Sequence, residues 1–181
     1  MATPPASAAT AAPGPVLRKR CFDPVVDQRT RLLVLGSLPG DQSLLRNEYY
    51  GNKQNKFWEL LGVVIDVDLR SLNYDARLAA LLEHGIGLWD VIAEAERAGS
   101  LDSAIYNASH NALAELVATL PSLRAIGFNG GTAARLGRKQ LQATATRLSL
   151  IDLPSSSPAY TIGFEPKLQV WRQLSNYLPL S

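Results

Sequence analysis

Three short apolar runs along the chain each break into a loop of small residues, and amphipathic stretches of about ten residues lie between them. RLLVLGS (31–37), LRAIGFNGG (123–131) and RLSLIDLPSSSP (147–158) read as buried strands that end in glycine, proline or serine loops, and IGLWDVI (86–92) reads as a further strand. Helical patterns fill the intervals. They are NKFWELLGVV from Asn55, DARLAALLEHG with Asp75 as N-cap and Gly85 as terminator, NALAELVATLP closed by Pro121, TAARLGRKQL, and EPKLQVWRQLSNYL. Strands alternating with helices predict parallel strands joined by right-handed crossovers. The fold class expected is α/β, a three-layer sandwich with a central, mostly parallel four-stranded sheet and helices on both faces. Ligands of such sheets bind beyond the carboxyl ends of the strands, so the loops Gly36-Ser37-Leu38-Pro39-Gly40, Asn129-Gly130-Gly131 and Pro154-Ser155-Ser156-Ser157-Pro158 are expected on one rim.

Composition changes this picture little. The chain has 181 residues, 46% of them apolar, which suits one domain with a tail. Residues 1–17 are mostly alanine, proline, serine and threonine and cannot bury enough surface to offset chain entropy. A disordered, basic-ended tail is expected over 1–20 and the folded domain over 21–181. Cys21 is the only cysteine, which excludes an internal disulfide and a thiolate-rich zinc site, and no apolar run has the length of a membrane span. A cytoplasmic monomer, in a bacterial cytosol and nucleoid, with no metal, cofactor or membrane contact is the expectation. The formal charge is +2, and with Arg18, Lys19 and Arg20 set aside the remainder is close to neutral. Between Glu115 and Asp152 the charged residues are all basic (Arg124, Arg135, Arg138, Lys139, Arg147), so a polyanion would be met by the C-terminal half and by the loop of Lys53 and Lys56. Solvated helix faces explain the same charges.

The usual nucleophilic constellations are missing. There is no GxSxG elbow, Walker A or dinucleotide fingerprint, and His84 and His110 read as cap or surface residues. The loops offer backbone amides and hydroxyls suited to phosphate oxygens. Two prolines bracketing three serines make Pro154–Pro158 a stiff loop that lets a sugar-phosphate chain come close, although a plain strand-to-helix turn accounts for it too. In NEYYGNKQNKFW (47–58), aromatic rings and amides are gathered as a nucleobase pocket needs them. Trp58 reads as a core anchor and Phe57 as a stacking ring; Trp89 and Trp171 read as packing residues.

Four stretches, in order, carry a resemblance to the uracil-DNA glycosylase superfamily, and within it to the hypoxanthine-DNA glycosylase branch. They are GSLPG with the following S-L and Y-Y (36–50), Asn55-Lys56-Phe57-Trp58, GFNGGTAARL (127–136) and LPSSSPAY (153–160); GLWDVI and DSAIYNAS (102–109) resemble intervening family segments. The resemblance implies a monofunctional enzyme acting on double-stranded DNA, hydrolysing the N-glycosidic bond of an everted, deaminated base. By it, Gly36–Gly40 line the floor where water meets the sugar, Phe57 stacks on the base, and Asn129 reads the base edge. Pro154–Pro158, with Lys53 and Lys56, would contact the DNA backbone. Mismatch-specific relatives place a water-holding asparagine where Leu38 stands. The hypoxanthine branch resembles this chain in lacking it and has its important asparagine in N-x-F-W, which assigns catalysis to Asn55. A neutral amide can suffice, because cleavage passes through a sugar cation and is assisted by donors to the leaving base and a positioned water. An amide also matches the N–H and carbonyl of hypoxanthine and mispairs with adenine. Two other readings stay open: a glycosylase for uracil or T/U·G mismatches, and a non-catalytic module that binds nucleotides or damaged DNA.

Overall fold

The computed structural model describes residues 17–142, 144 and 147–180; most of the expected tail lies outside them. In chain order the elements are β1 (Arg18–Arg20), β2 (Leu32–Gly36), α1 (Asp41–Arg46), α2 (Phe57–Ile65), α3 (Tyr74–Glu83), β3 (Ile86–Asp90), β4 (Ile92–Arg97), β5 (Ile105–His110), α4 (Leu113–Ala118), β6 (Ala125–Asn129), α5 (Gly131–Leu141), β7 (Ser149–Leu153) and α6 (Phe164–Trp171).

Every residue of β2 is buried, and this is why it reads as an unbroken apolar run rather than an alternating one: both faces are covered. It pairs in parallel with β3 on one side and β6 on the other, and β7 extends the sheet in the order β3-β2-β6-β7. The pleat divides its side chains between two cores. Leu32 and Val34 pack with Phe57, Leu60, Leu61, Leu81, Leu168 and Trp171 on the face covered by α2, α3 and α6. Leu33 and Leu35 pack with Ile126, Phe128, Leu113, Ala133 and Leu141 on the face covered by α4 and α5. The expected sandwich and all four expected strands are present.

Three local expectations are corrected. The α3 N-cap is Asn73, whose side chain accepts from Ala76 N, because Asp75 already lies inside the first turn. The tail does not extend to residue 20, since Arg18–Arg20 forms β1, antiparallel to β4. That pairing belongs to a second, three-stranded sheet, β1-β4-β5, which the sequence pattern does not announce. Its cationic side chains are engaged locally: Arg18 and Arg20 pair with Glu94, and Lys19 with Asp41. Finally, Arg124 and Arg147 precede β6 and β7, at the ends of the strands opposite the expected ligand rim, so they do not belong to a nucleic-acid surface on that rim.

α5 approaches the sheet closely enough that a methyl group at Gly137 would lie 2.3 Å from a ring carbon of the fully buried Phe128. Gly137→Val is therefore expected to cost about 3 kcal/mol through overpacking and to lower Tm by roughly 6–12 °C. Wild-type melting of the variant would contradict this packing.

Candidate active site

The carboxyl ends of β2, β3, β6 and β7 open into one cleft of about 390 Å3. Its wall is built by the Gly36–Gly40 loop, Tyr49, Tyr50, Asn52, Asn55, Asp90, Asp102, Asn129 and the Ser155–Tyr160 segment. The three loops expected on a shared rim are brought together there.

Asn129, the last residue of β6, locks one side. Its Nδ2 donates to Ser156 Oγ at 2.9 Å while its Oδ1 accepts from Ser156 N at 2.9 Å, and Nδ2 also reaches the Tyr50 hydroxyl at 3.3 Å. Among the described residues, four from other segments hold the proline-serine loop. Pro154 O accepts from Trp171 Nε1, Ser156 O from Lys56 N, and Ser157 O from the buried Lys167 Nζ, besides the Asn129 clamp. Burial, and secondarily the nearby Lys56, pulls the Lys167 ammonium below its usual range. Ordering was completed on folding, so a ligand meets a loop already in position.

The opposite side is held by Arg97 of β4. The residue is 1% exposed, and its guanidinium donates to the carbonyls of Leu38, Pro39 and Gly99. Asp41 N donates to Ser100 Oγ, and Ser37 Oγ donates to Asp102 Oδ1 at 2.6 Å. The small second sheet thus presses the 98–102 loop against Gly36–Gly40. Arg97, Ser100 and Asp102 were not legible as site residues, because the contacts depend on a sheet the pattern does not reveal.

Between these sides lies Tyr50. Its ring lies flat on Phe57, with centroids 3.6 Å apart and planes 11° from parallel, and Phe57 is wedged edge to face against Trp58 and Trp171. Tyr50 has φ 54°, in the left-handed region a bulky residue rarely occupies, and such strain gathers at ligand sites. Here the sequence expectation is corrected. Phe57 is fully buried and does not line the cleft, because Tyr50 covers its open face; of this stacked pair it is Tyr50 that borders the cleft, alongside Tyr49 and Tyr160. A signal was present: Phe57 shares helical spacing with Trp58, Leu60, Leu61 and Ile65, as a core residue does, whereas Tyr50 carries a hydroxyl in a polar loop.

Asn55 does line the cleft. Its Oδ1 accepts from Phe57 N, at the first residue of α2, at 2.9 Å, which fixes the amide and leaves a second lone pair and the Nδ2 donors for a ligand. Asn129 also lines it, but its amide is already bonded on both atoms, so it is a brace before it is a reader. Ser156 is fully enclosed, with its N, Oγ and O all engaged, and cannot meet a phosphate; Ser155, Ser157 and Pro158 remain accessible. Lys56 is paired with Glu59 at 2.9 Å, and Lys53 is exposed. Leu38 is buried, its carbonyl held by Arg97. No lysine lines the cleft, and no cluster of three His, Cys, Asp or Glu residues occurs among the described residues.

The matching family model, described as the uracil DNA glycosylase superfamily, covers residues 24–175. This chain belongs to that superfamily. Among its relatives, the hypoxanthine DNA glycosylase of Methanosarcina barkeri (strain Fusaro / DSM 804) is 45% identical over 114 residues, 63% of this chain and 72% of the relative. The hypoxanthine DNA glycosylase of Methanosarcina acetivorans is 44% identical over 112 residues, 62% and 71% of the two chains. A solution NMR structure described as a candidate uracil DNA glycosylase from Methanosarcina acetivorans superposes with a TM-score of 0.79 at 36% identity, covering 88% of this chain and 97% of that one. The superfamily resemblance drawn from the four sequence stretches is thus upheld, as is the fold it implied.

One member of this superfamily cleft was not anticipated. Asp90 ends β3, is 3% exposed, and has no hydrogen-bond partner for Oδ2 among the described residues. Burial, with the Asp102 charge adding to it and Arg97 opposing, pushes its carboxyl up to about 7. The signal was a single acid inside the apolar run IGLWDVI. A carboxyl held at about 7 rather than its ordinary 3.8 favours the folded state most when protonated, so that contribution is intact below about pH 4 and is lost as pH rises through 7, by roughly 4 kcal/mol in total. Asp90→Asn, which cannot ionise, is expected to change Tm more favourably relative to wild type at about pH 8 than at about pH 5. Equal differences at the two pH values in thermal melts would show that Asp90 is not a strained buried acid.

Proposed function

We propose that this protein is a monofunctional DNA glycosylase that receives an everted, deaminated purine, hypoxanthine, from a DNA duplex and hydrolyses its N-glycosidic bond. The observation that carries this reading is the Tyr50 ring, backed by Phe57 and bordered by the amide of Asn55, at the mouth of a cleft closed by a pre-ordered proline-serine loop. Two relatives named hypoxanthine DNA glycosylase, at 45% and 44% identity, support it.

The reading gives each side chain a physical task. A base turned out of the stack lays one face on Tyr50, and the energy recovered there offsets part of the cost of unstacking. Asn55, anchored through Phe57 N, positions the water below the sugar with the free capacity of its amide. The Asp102 carboxylate, held by Ser37, places negative charge beside the developing sugar cation. Ser155, Ser157, Pro158 and Lys53 border the path of the DNA backbone, while Asn129 and Ser156 hold the rim from behind. With no lysine in the cleft wall among the described residues, an amine adduct and strand nicking are not expected, and the product is an intact abasic site.

Uracil shares with hypoxanthine an adjacent N–H and carbonyl, and the solved structure with the same fold is described as a candidate uracil DNA glycosylase. Uracil is therefore the first competitor to measure. The deciding experiment is a panel of labelled duplexes carrying hypoxanthine, uracil, xanthine, or thymine opposite guanine. Wild-type protein is expected to convert the hypoxanthine duplex to an alkali-labile site without magnesium, faster than any other member. Asn55→Ala is expected to lower the rate by at least about 100-fold while duplex binding persists; the bond it loses to Phe57 N costs only about 1 kcal/mol. Undiminished turnover by that variant would remove Asn55 from the mechanism, and binding without release of any base would identify a recognition module instead.

A further inference from the structure

The acid at the floor of the cleft has the environment of a group waiting for a ligand. Asp90 lines the cleft, and its Oδ2 is buried without a partner among the described residues. Its Oδ1 and the Tyr50 hydroxyl converge over Gly36, where a Cβ would lie 2.6 Å from the first and 2.9 Å from the second. Only glycine leaves them room. The surrounding groups do not neutralise a charge there. Arg97 attracts it from β4, yet donates its hydrogen bonds to Leu38 O, Pro39 O and Gly99 O. Asn111 Nδ2 reaches the backbone carbonyl of Asp90, not its carboxyl. Asp102 repels it, and the Tyr49 and Tyr50 phenols and the Cys21 thiol, each raised by burial, remain neutral beside it. A buried anion with no partner is costly, so burial favours the neutral acid, which offers one O–H donor and one acceptor.

We propose that protonated Asp90 is a catalytic residue that contacts the everted base, its O–H donating to the carbonyl oxygen of the purine and its C=O accepting from the adjacent ring N–H. This rests on the glycosylase reading above. As the bond between the sugar C1′ and the purine N9 breaks, its electron pair leaves with the base, and part of that charge arrives on the carbonyl oxygen. The Asp90 hydrogen bond then strengthens as the transition state forms. Water adds to C1′, and the proton it releases is the one the free purine carries away, so Asp90 keeps its own. Ionised Asp90 would instead set a negative oxygen against the departing base. Excision should therefore decline as this carboxyl loses its proton.

Single-turnover release of hypoxanthine, followed from about pH 5.5 to about pH 8.5, tests this in the full chain. Wild-type rates are expected to fall towards tenfold per pH unit above an inflection near neutrality. Asp90→Asn keeps a donor at every pH, so its rate should stay level and overtake wild type at the alkaline end. Asp90→Leu should lose at least about 100-fold throughout while melting as a folded protein. An Asp90→Asn protein that retains the wild-type decline, or is folded but inactive at every pH, would overturn the proposal, as would an active Asp90→Leu. A second readout does not need turnover: the 13C signal of the Asp90 carboxyl should titrate higher when free hypoxanthine base is added, and an unmoved titration would overturn the proposal. A wild-type protein that releases no base from any duplex, yet shows this shift, would instead locate the failure in the glycosylase reading.

Discussion

The reciprocal pair of hydrogen bonds between the Asn129 side chain and Ser156 is the interaction on which the cleft depends. One residue ends a central strand and the other lies 27 positions further on, in a loop without regular structure. Buried polar groups of this kind are weak contributors when paired and expensive when left unpaired, so the arrangement is held in one geometry rather than many. Through Ser156 O it also captures the backbone of Lys56, and through Asn129 Nδ2 it reaches Tyr50. Segments near positions 50, 56, 129 and 156 thereby become one surface.

The second sheet plays the corresponding part on the other wall. Arg97 would be an odd residue to bury for stability alone, since desolvation works against its charge and pulls it below its usual range. Its carbonyl partners explain it: Leu38 O and Pro39 O hold the turn Gly36–Gly40, and Gly99 O the loop beside it, without a side chain intruding into the cleft. Two unlike devices, an amide clamp and a buried cation, thus fix the two lips while the floor between them stays open.

Much of this was legible in the chain. The parallel sheet followed from apolar runs of strand length ending in small-residue loops, and the shared rim followed from the topology those runs imply. Asn55 was legible because amides and aromatics crowd one short stretch. The errors have specific causes. Phe57 and Tyr50 are both aromatic and seven residues apart, and which one covers the other is a matter of packing that composition does not encode. Ser156 cannot be told from Ser155 or Ser157 by type, since only the fold decides which of three serines turns inward. The strand β1 is three charged residues that pair because their partners Glu94 and Glu96 lie across from them, a long-range match with no local periodicity. Asp90 was visible as an acid in an apolar strand, but its burial had to be seen to be given meaning.

Tyr50 as an aromatic platform, Asn55 as a fixed amide and Asp90 as an unpaired acid therefore border one opening. The most direct measurement of that claim is a crystal structure of the protein with a duplex containing 2′-fluoro-deoxyinosine, whose glycosidic bond resists cleavage. The purine is expected everted onto the face of Tyr50 that is turned away from Phe57, within hydrogen-bond reach of Asp90, with the Asn129–Ser156 pair unbroken. A purine that remains stacked in the helix, or that lies on Phe57 with Tyr50 displaced, would contradict it.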